Sequence, residues 1–266
     1  MLYSPLEQFE IIPLITFRLN SFDLSFTNSS FYIIFCIVVF IFISNCIFIK
    51  GGFFVPNRWQ ALFEGLYTFV LKMVSENIGS KEGRPYFPLV FSLFLFLLLC
   101  NLVGLVPYSF TVTSHFIVTF MLSFFVWFGK LILGFRIHGI KLFGMLLPGG
   151  LPFILVPFFV GVEFISFLIP LISLGVRLFA NIMAGHILLK VIVGFCWIIL
   201  ISGSLYLAHF VPLFVLFLLL FLETAVAFIQ AYVFTILTCL YLGDILRGGH
   251  LFLSLVAQWL ERLAVN

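Results

Sequence analysis

Two apolar stretches, residues 152–200 and 205–246, run far longer than one membrane crossing requires. The hydrocarbon core of a bilayer takes about 20 residues of helix. Each stretch therefore holds either two spans or one long helix lying steeply tilted, and hydropathy alone does not choose between them. Three shorter runs precede them, at Phe31–Ile49, Pro88–Val106 and His115–Leu133. With 64% hydrophobic and only 9% charged residues, the chain has too little polar surface for a soluble domain, which carries about 25% charged residues. The fold class expected is all-α membrane protein.

One further helix is expected to lie at the surface of the bilayer. After Pro56-Asn57, with Asn57 suited to cap a helix, apolar residues recur at three- and four-residue steps: Trp59, Leu62, Phe63, Leu66, Phe69, Val70, Met73 and Val74. Arg58, Gln60, Glu64, Thr68, Lys72, Ser75 and Glu76 fall mostly on the other side. That spacing predicts an interfacial amphipathic helix at about 57–78. Residues 1–30 read as a mixed, loop-like segment, and residues 136–150 as a polar, Gly-rich connector. Basic residues mark the inner side of a membrane. Lys50, Arg58, Lys72, Lys81 and Arg84 put 50–86 inside, as Arg136 and Lys141 do for 135–147; the N-terminus and the 107–114 turn are then outside.

Composition also excludes functions. The net charge of +3 comes with no run of Lys and Arg, so nucleic acid is not an expected partner. No G-x-x-x-x-G-K-[ST] phosphate loop is present, and no cofactor is expected. The cysteines Cys36, Cys46, Cys100, Cys196 and Cys239 lie in or beside apolar runs without a C-x-x-C spacing. They read as small core residues rather than metal ligands or disulfides. Acid at Glu7 and Glu10 stands where a signal or transit peptide would carry base.

Against this background a few polar side chains stand out. Within ten residues of Arg177 the only strongly polar neighbours are Ser173, Asn181 and His186. A guanidinium cannot shed its charge, and placing one mid-bilayer costs about 3 kcal/mol or more. A chain that keeps it there uses it. At about 100° per residue, Asn181 shares the face of Arg177. Glu163 returns within roughly 40° of that face, about 21 Å away along the axis, while His186 lies near the opposite side. In the last stretch Glu223, Gln230 and Asp244 fall within roughly 60° of one another over about 30 Å. Carboxylates and imidazole pass protons, whereas a permanent cation blocks them. Each of these residues also has a bland alternative, such as a paired buried acid or interhelical hydrogen-bond glue. His115, His138, His209 and His250 read as structural or interfacial, and Lys190 as snorkelling.

The run Ser173-Leu-Gly-Val-Arg-Leu-Phe-Ala-Asn-Ile-Met-Ala-Gly-His186 resembles the subunit a family of the F-type ATP synthase. Supporting runs are Asn101–His115, Gly134-Phe-Arg-Ile-His-Gly139, and Glu223 followed seven residues later by Gln230. The opening Ser4–Ile11 and Phe26–Ser30 are similar to mitochondrial members from plants and protists; His186 paired with Glu223 also looks mitochondrial, many bacterial members exchanging the two residue types.

The resemblance implies about six helices, the last two long, strongly tilted and paired as a membrane-intrinsic hairpin around a ring of c subunits. It implies a non-catalytic stator that conducts protons through two offset half-channels and couples their flow to rotation and ATP synthesis. Arg177 would separate the channels and face the ring, with Asn181 and Gln230 as polar neighbours. Glu163 would belong to the inner half-channel, and His186, Glu223 and Asp244 to the outer one. Partners implied are c-ring proteolipids, peripheral-stalk b-type and other Fo subunits, lipid and protons. The location implied is the mitochondrial inner membrane, or alternatively a bacterial plasma membrane. The organisation expected is an outer-side segment at 1–30, first spans at 31–134, connector and hairpin at 135–250, and an amphipathic tail at 251–266. An independent proton-coupled transporter is the alternative, although it predicts two related halves that the sequence lacks. A haem subunit would need histidines paired between spans, and a passive anchor would leave Arg177 unexplained.

Overall fold

A computed structural model describes residues 6–19, 22–23, 25–48, 57–106, 109–139, 156–202 and 210–246. Outside these lie most of the connector, His209, His250 and the 251–266 tail. Among the described residues there are six α-helices: α1 Asn28–Phe48, α2 Arg58–Asn77, α3 Phe87–Gly104, α4 Phe116–His138, α5 Val156–Ser202 and α6 Phe210–Leu246. All but α2 contain windows long and apolar enough to cross a membrane. Contacts gather these elements into two units. The first comprises Met1–Gln60, Leu93–Thr119 and Val176–Val233; the second comprises Ala61–Ser92, Phe120–Gly175 and Phe234–Asn266.

In the first unit, the N-terminal segment is more ordered than its composition predicts. Strand β1 (Pro13–Ile15) pairs antiparallel with β4 (Phe26–Thr27), and β2 (Arg18–Leu19) with β3 (Phe22–Asp23). Strands of two or three residues are too short to leave a readable alternation of polar and apolar side chains. Asn28 joins this ribbon to the first span. Its Oδ1 accepts from the Ser29 and Ile12 N–H groups at 2.8 and 3.3 Å, and its Nδ2 donates to the Glu10 carbonyl at 3.0 Å. An asparagine at a helix start thereby satisfies an orphan donor and ties down the preceding chain. Farther along, Phe110 stacks on His115 with centroids 5.0 Å apart. Burial pushes the His115 imidazole below its ordinary value of 6.5.

Helix α2, which enters the second unit at Ala61, is the amphipathic helix the spacing predicts. Asn57 Oδ1 accepts from the Arg58 N–H at 2.8 Å. Val70, Met73 and Val74 are buried against the chain, while Trp59, Leu62 and Phe69 from the same stripe remain exposed. Such a half-covered stripe suits the headgroup boundary of a bilayer. Tyr67 packs edge-on against Phe87 and Phe91 and so ties α2 to the start of α3. Helix α4 runs five residues beyond the expected end of the third span, so Arg136 and His138 are helical rather than part of the connector. Gly139 stops it: with φ of +56° its N–H returns to the Phe135 carbonyl at 2.9 Å. Glycine takes that left-handed turn at no steric cost.

The two longest stretches are each one continuous helix, of 47 and 37 residues. Pro157 and Pro212 stand in their first turns, where a missing N–H breaks no helical bond. Apolar windows of 38 and 37 residues are each about 55 Å long at 1.5 Å per residue. Both are longer than the roughly 30 Å hydrocarbon core, so a continuous helix of this length fits a bilayer by leaning away from its normal. This resolves the choice that hydropathy left open.

Candidate functional site

Helices α5 and α6 meet in the first unit through the polar residues the sequence singles out. Asn181 Nδ2 donates to Gln230 Oε1 at 2.9 Å. His186 Nδ1 lies 3.5 Å from Glu223 Oε1. As α5 advances from residue 181 to 186, its partner on α6 retreats from 230 to 223, so this part of the pair is antiparallel. His186 reaches α6 although it stands about 140° around α5 from Asn181, because long polar side chains at either edge of a contact face can bend into the seam.

The seam on α6 is built from spacing. Glu223, Ala227, Gln230, Ala231 and Phe234 are all buried, at steps of three and four that define one helix face. Small Ala227 and Ala231 let a neighbour approach, and Asn101 on α3 uses the opening to donate to the Ala227 carbonyl at 3.3 Å. On α5, Leu171, Leu174, Leu178 and Ile182 form the buried stripe. Arg177 sits beside that stripe on the exposed side of the helix.

Glu223 is the least ordinary group of the set. The residue is 5% exposed, and neither carboxylate oxygen makes a hydrogen bond among the described residues. The His186 imidazole is its near ionisable neighbour, with the Phe9 ring of the N-terminal segment set nearly perpendicular to it at 6.4 Å between centroids. A carboxyl and an imidazole in this relation can pass a proton between them in either direction. Gly185 creates the space: a Cβ there would come within 2.9 Å of Glu223 Oε1.

Two of the expected residues belong to the second unit. Glu163 lies on the backbone of α5, and its side chain is outside the described residues. Asp244 belongs to the second unit, 21 residues past Glu223 on α6, about 31 Å along the axis. It follows Gly243, which packs against the Asn77 carbonyl of α2, and precedes Ile245, whose carbonyl lies 2.9 Å from His138 Nε2.

Sequence reasoning passes over Lys130. Its Nζ stands 4.9 Å from the Phe167 ring centroid and 5.1 Å from that of Tyr241. The signal is there to be found: Lys130 is the lone charge between His115 and Arg136, and a charge inside a span marks a functional position by default. Asn101 and Gly185 are legible only as members of longer runs. Among the described residues no group of His, Cys, Asp and Glu is arranged to hold a metal ion.

Fold and site together define a multi-pass α-helical membrane protein with a titratable pair and an amide pair held between two long helices. Comparison with known sequences narrows the class. The profile of the family described as ATP synthase A chain matches residues 28–243. The chain is 49% identical to ATP synthase subunit a of Marchantia polymorpha, over 92% of this chain and 98% of the relative. It is 49% identical to ATP synthase subunit a of Brassica napus, over 91% and 95%, and 45% identical to that of Chondrus crispus, over 91% and 96%. The chain belongs to the ATP synthase A chain family.

Proposed function

We propose that this chain is the proton-conducting stator of an F-type ATP synthase membrane motor, working in the mitochondrial inner membrane beside a ring of c-subunit proteolipids. Peripheral-stalk and other Fo subunits hold it against rotation. It performs no covalent chemistry; its side chains bind, hold back and hand over protons. The observation that carries this reading is the meeting of His186 with Glu223 and of Asn181 with Gln230, on the helix that also bears Arg177, in a chain of this family.

A proton from the outer side passes the His186–Glu223 pair and neutralises a carboxylate on a c subunit. A neutral carboxyl crosses lipid cheaply where a charged one does not, so the ring turns by that step. Near the end of the circuit the carboxyl meets the inner path by Glu163 and releases its proton. Arg177 keeps the two paths apart: it attracts the ionised carboxylate, favours its charged form and repels hydronium. Each crossing yields about 2.3 kcal/mol per 100 mV.

Asp244 is assigned to the inner path, in place of the outer one expected from the sequence. The support is its position one residue before Ile245, whose carbonyl faces His138 at the end of α4 that carries Arg136. Basic residues mark that end as inner. Glu223→Gln removes the titrating group and keeps the shape. Passive proton flux through Fo in the assembled complex is expected to drop about a hundredfold or more, the range for losing a positioned acid–base group. Unchanged flux removes Glu223 from the pathway.

A further inference from the structure

An ammonium inside a span needs a reason, and two ring contacts of Lys130 with a neighbouring hydrogen bond of Trp127 supply one. Helix α4 runs from the outer turn toward the inner connector, and Lys130 lies fourteen residues past Phe116, about 21 Å along the axis, in the inner half. Its Nζ is held between the rings of Phe167 on α5 and Tyr241 on α6, at 4.9 and 5.1 Å. Both distances are inside the roughly 6 Å over which a ring face attracts a cation. Trp127, three residues earlier, donates its indole N–H to the Phe167 carbonyl at 3.0 Å. That carbonyl lies next to a weak point in α5, because Pro170 has no N–H to offer Ser166. Helix α4 therefore grips both the ring and the backbone of Phe167 where α5 is least able to hold itself.

Helical register gives the grip a consequence. Glu163 stands four residues before Phe167 and Asp244 three residues after Tyr241, each one turn along the same face as the ring. We propose that Lys130 is a positioning residue of the inner proton path, holding the turns of α5 and α6 that carry Glu163 and Asp244, its charge easing proton release to the inner side. This inference rests on the stator reading above. Apart from Glu163 and Asp244, the other charged and titratable groups on the second unit's parts of α4, α5 and α6 are Arg136, His138, Cys239 and Tyr241. None of these replaces an ammonium lodged between the two rings.

The test measures ATP synthesis against inner-side pH in the assembled complex, reconstituted in vesicles with a fixed driving force. Without the cation a neighbouring acid gives up its proton less readily, so the profile of Lys130→Met is expected to move toward alkaline pH by about one unit. Lys130→Arg, which keeps charge and ring contact, is expected to keep the original profile. The pair Phe167→Leu with Tyr241→Leu, retaining the lysine but not its cage, is expected to shift in the same direction by less. An unshifted Lys130→Met profile overturns the proposal, as does a Lys130→Arg shift as large as that of methionine. Should Lys130→Met fail to assemble, an unshifted profile in the ring variant overturns it instead. Arg177→Ala run alongside separates the two layers. Coupled synthesis that survives it defeats the stator reading itself, whereas an unshifted lysine variant beside an inactive Arg177→Ala defeats only the role of Lys130.

Discussion

At the scale of single residues, the buried carboxylate of Glu223 is placed as much by what is missing as by what touches it. Gly185 leaves open the volume the carboxylate occupies, and a methyl group there would meet Oε1, Cδ and Cγ within 3.4 Å. Gly185→Ala is therefore expected to push the carboxylate away from His186 without unfolding the helix, where alanine is favoured. Taking about 1 kcal/mol for the overpacking, proton uptake from the outer side should slow by about fivefold, measurable as passive flux through Fo. A rate equal to the parent's means the carboxylate does not need that space. Arg177, Asn181, His186, Glu223 and Gln230 are legible in the sequence, because a polar side chain in an apolar run has no cheap explanation. The pairing of these residues is not, since angles around one helix do not fix which face the neighbour takes. Asp244 illustrates the limit: its face agrees with that of Glu223, but its neighbours Gly243 and Ile245 meet α2 and α4, which no spacing along α6 reveals.

At the scale of elements, the helices are readable wherever an apolar run has about the length of a membrane crossing. The two longest runs defy that rule, as length by itself does not tell a break from a tilt. The end of α4 departs from expectation for a local reason: Arg136 and His138 look like loop residues, yet the helix stops only where Gly139 supplies a positive φ. The turn between α3 and α4 carries its own prediction. His115 is stacked on Phe110, and its buried Nε2 has no hydrogen-bond partner among the described residues. Burial holds its imidazole below 6.5, so the unfolded turn binds a proton more readily than the folded one. The sign follows from linkage: stability is complete above about 6.5 and is lost as the pH falls through the window beneath it. Amide protection across residues 109–119 should hold steady at alkaline pH and decline on acidification, and His115→Phe should abolish the decline. Protection that is flat below 6.5 would mean the ring is not desolvated.

At the scale of the whole molecule, the chain carries few polar groups along two helices of 47 and 37 residues, each longer than an ordinary span. Under the proposed function, long helices offer a moving partner an extended face and let one chain present an outer acid and an inner acid at widely separated positions. Such a design fails as a leak unless something stands between the two paths. Arg177 is the permanent positive charge available to do so, on the exposed side of α5 and one turn from Asn181. The most direct measurement is ATP-driven proton pumping by the assembled complex carrying Arg177→Ala, with assembly checked on the same preparation. Pumping is expected to fall to background while the complex stays intact, and substantial coupled pumping by that variant would contradict the gatekeeping role of the arginine.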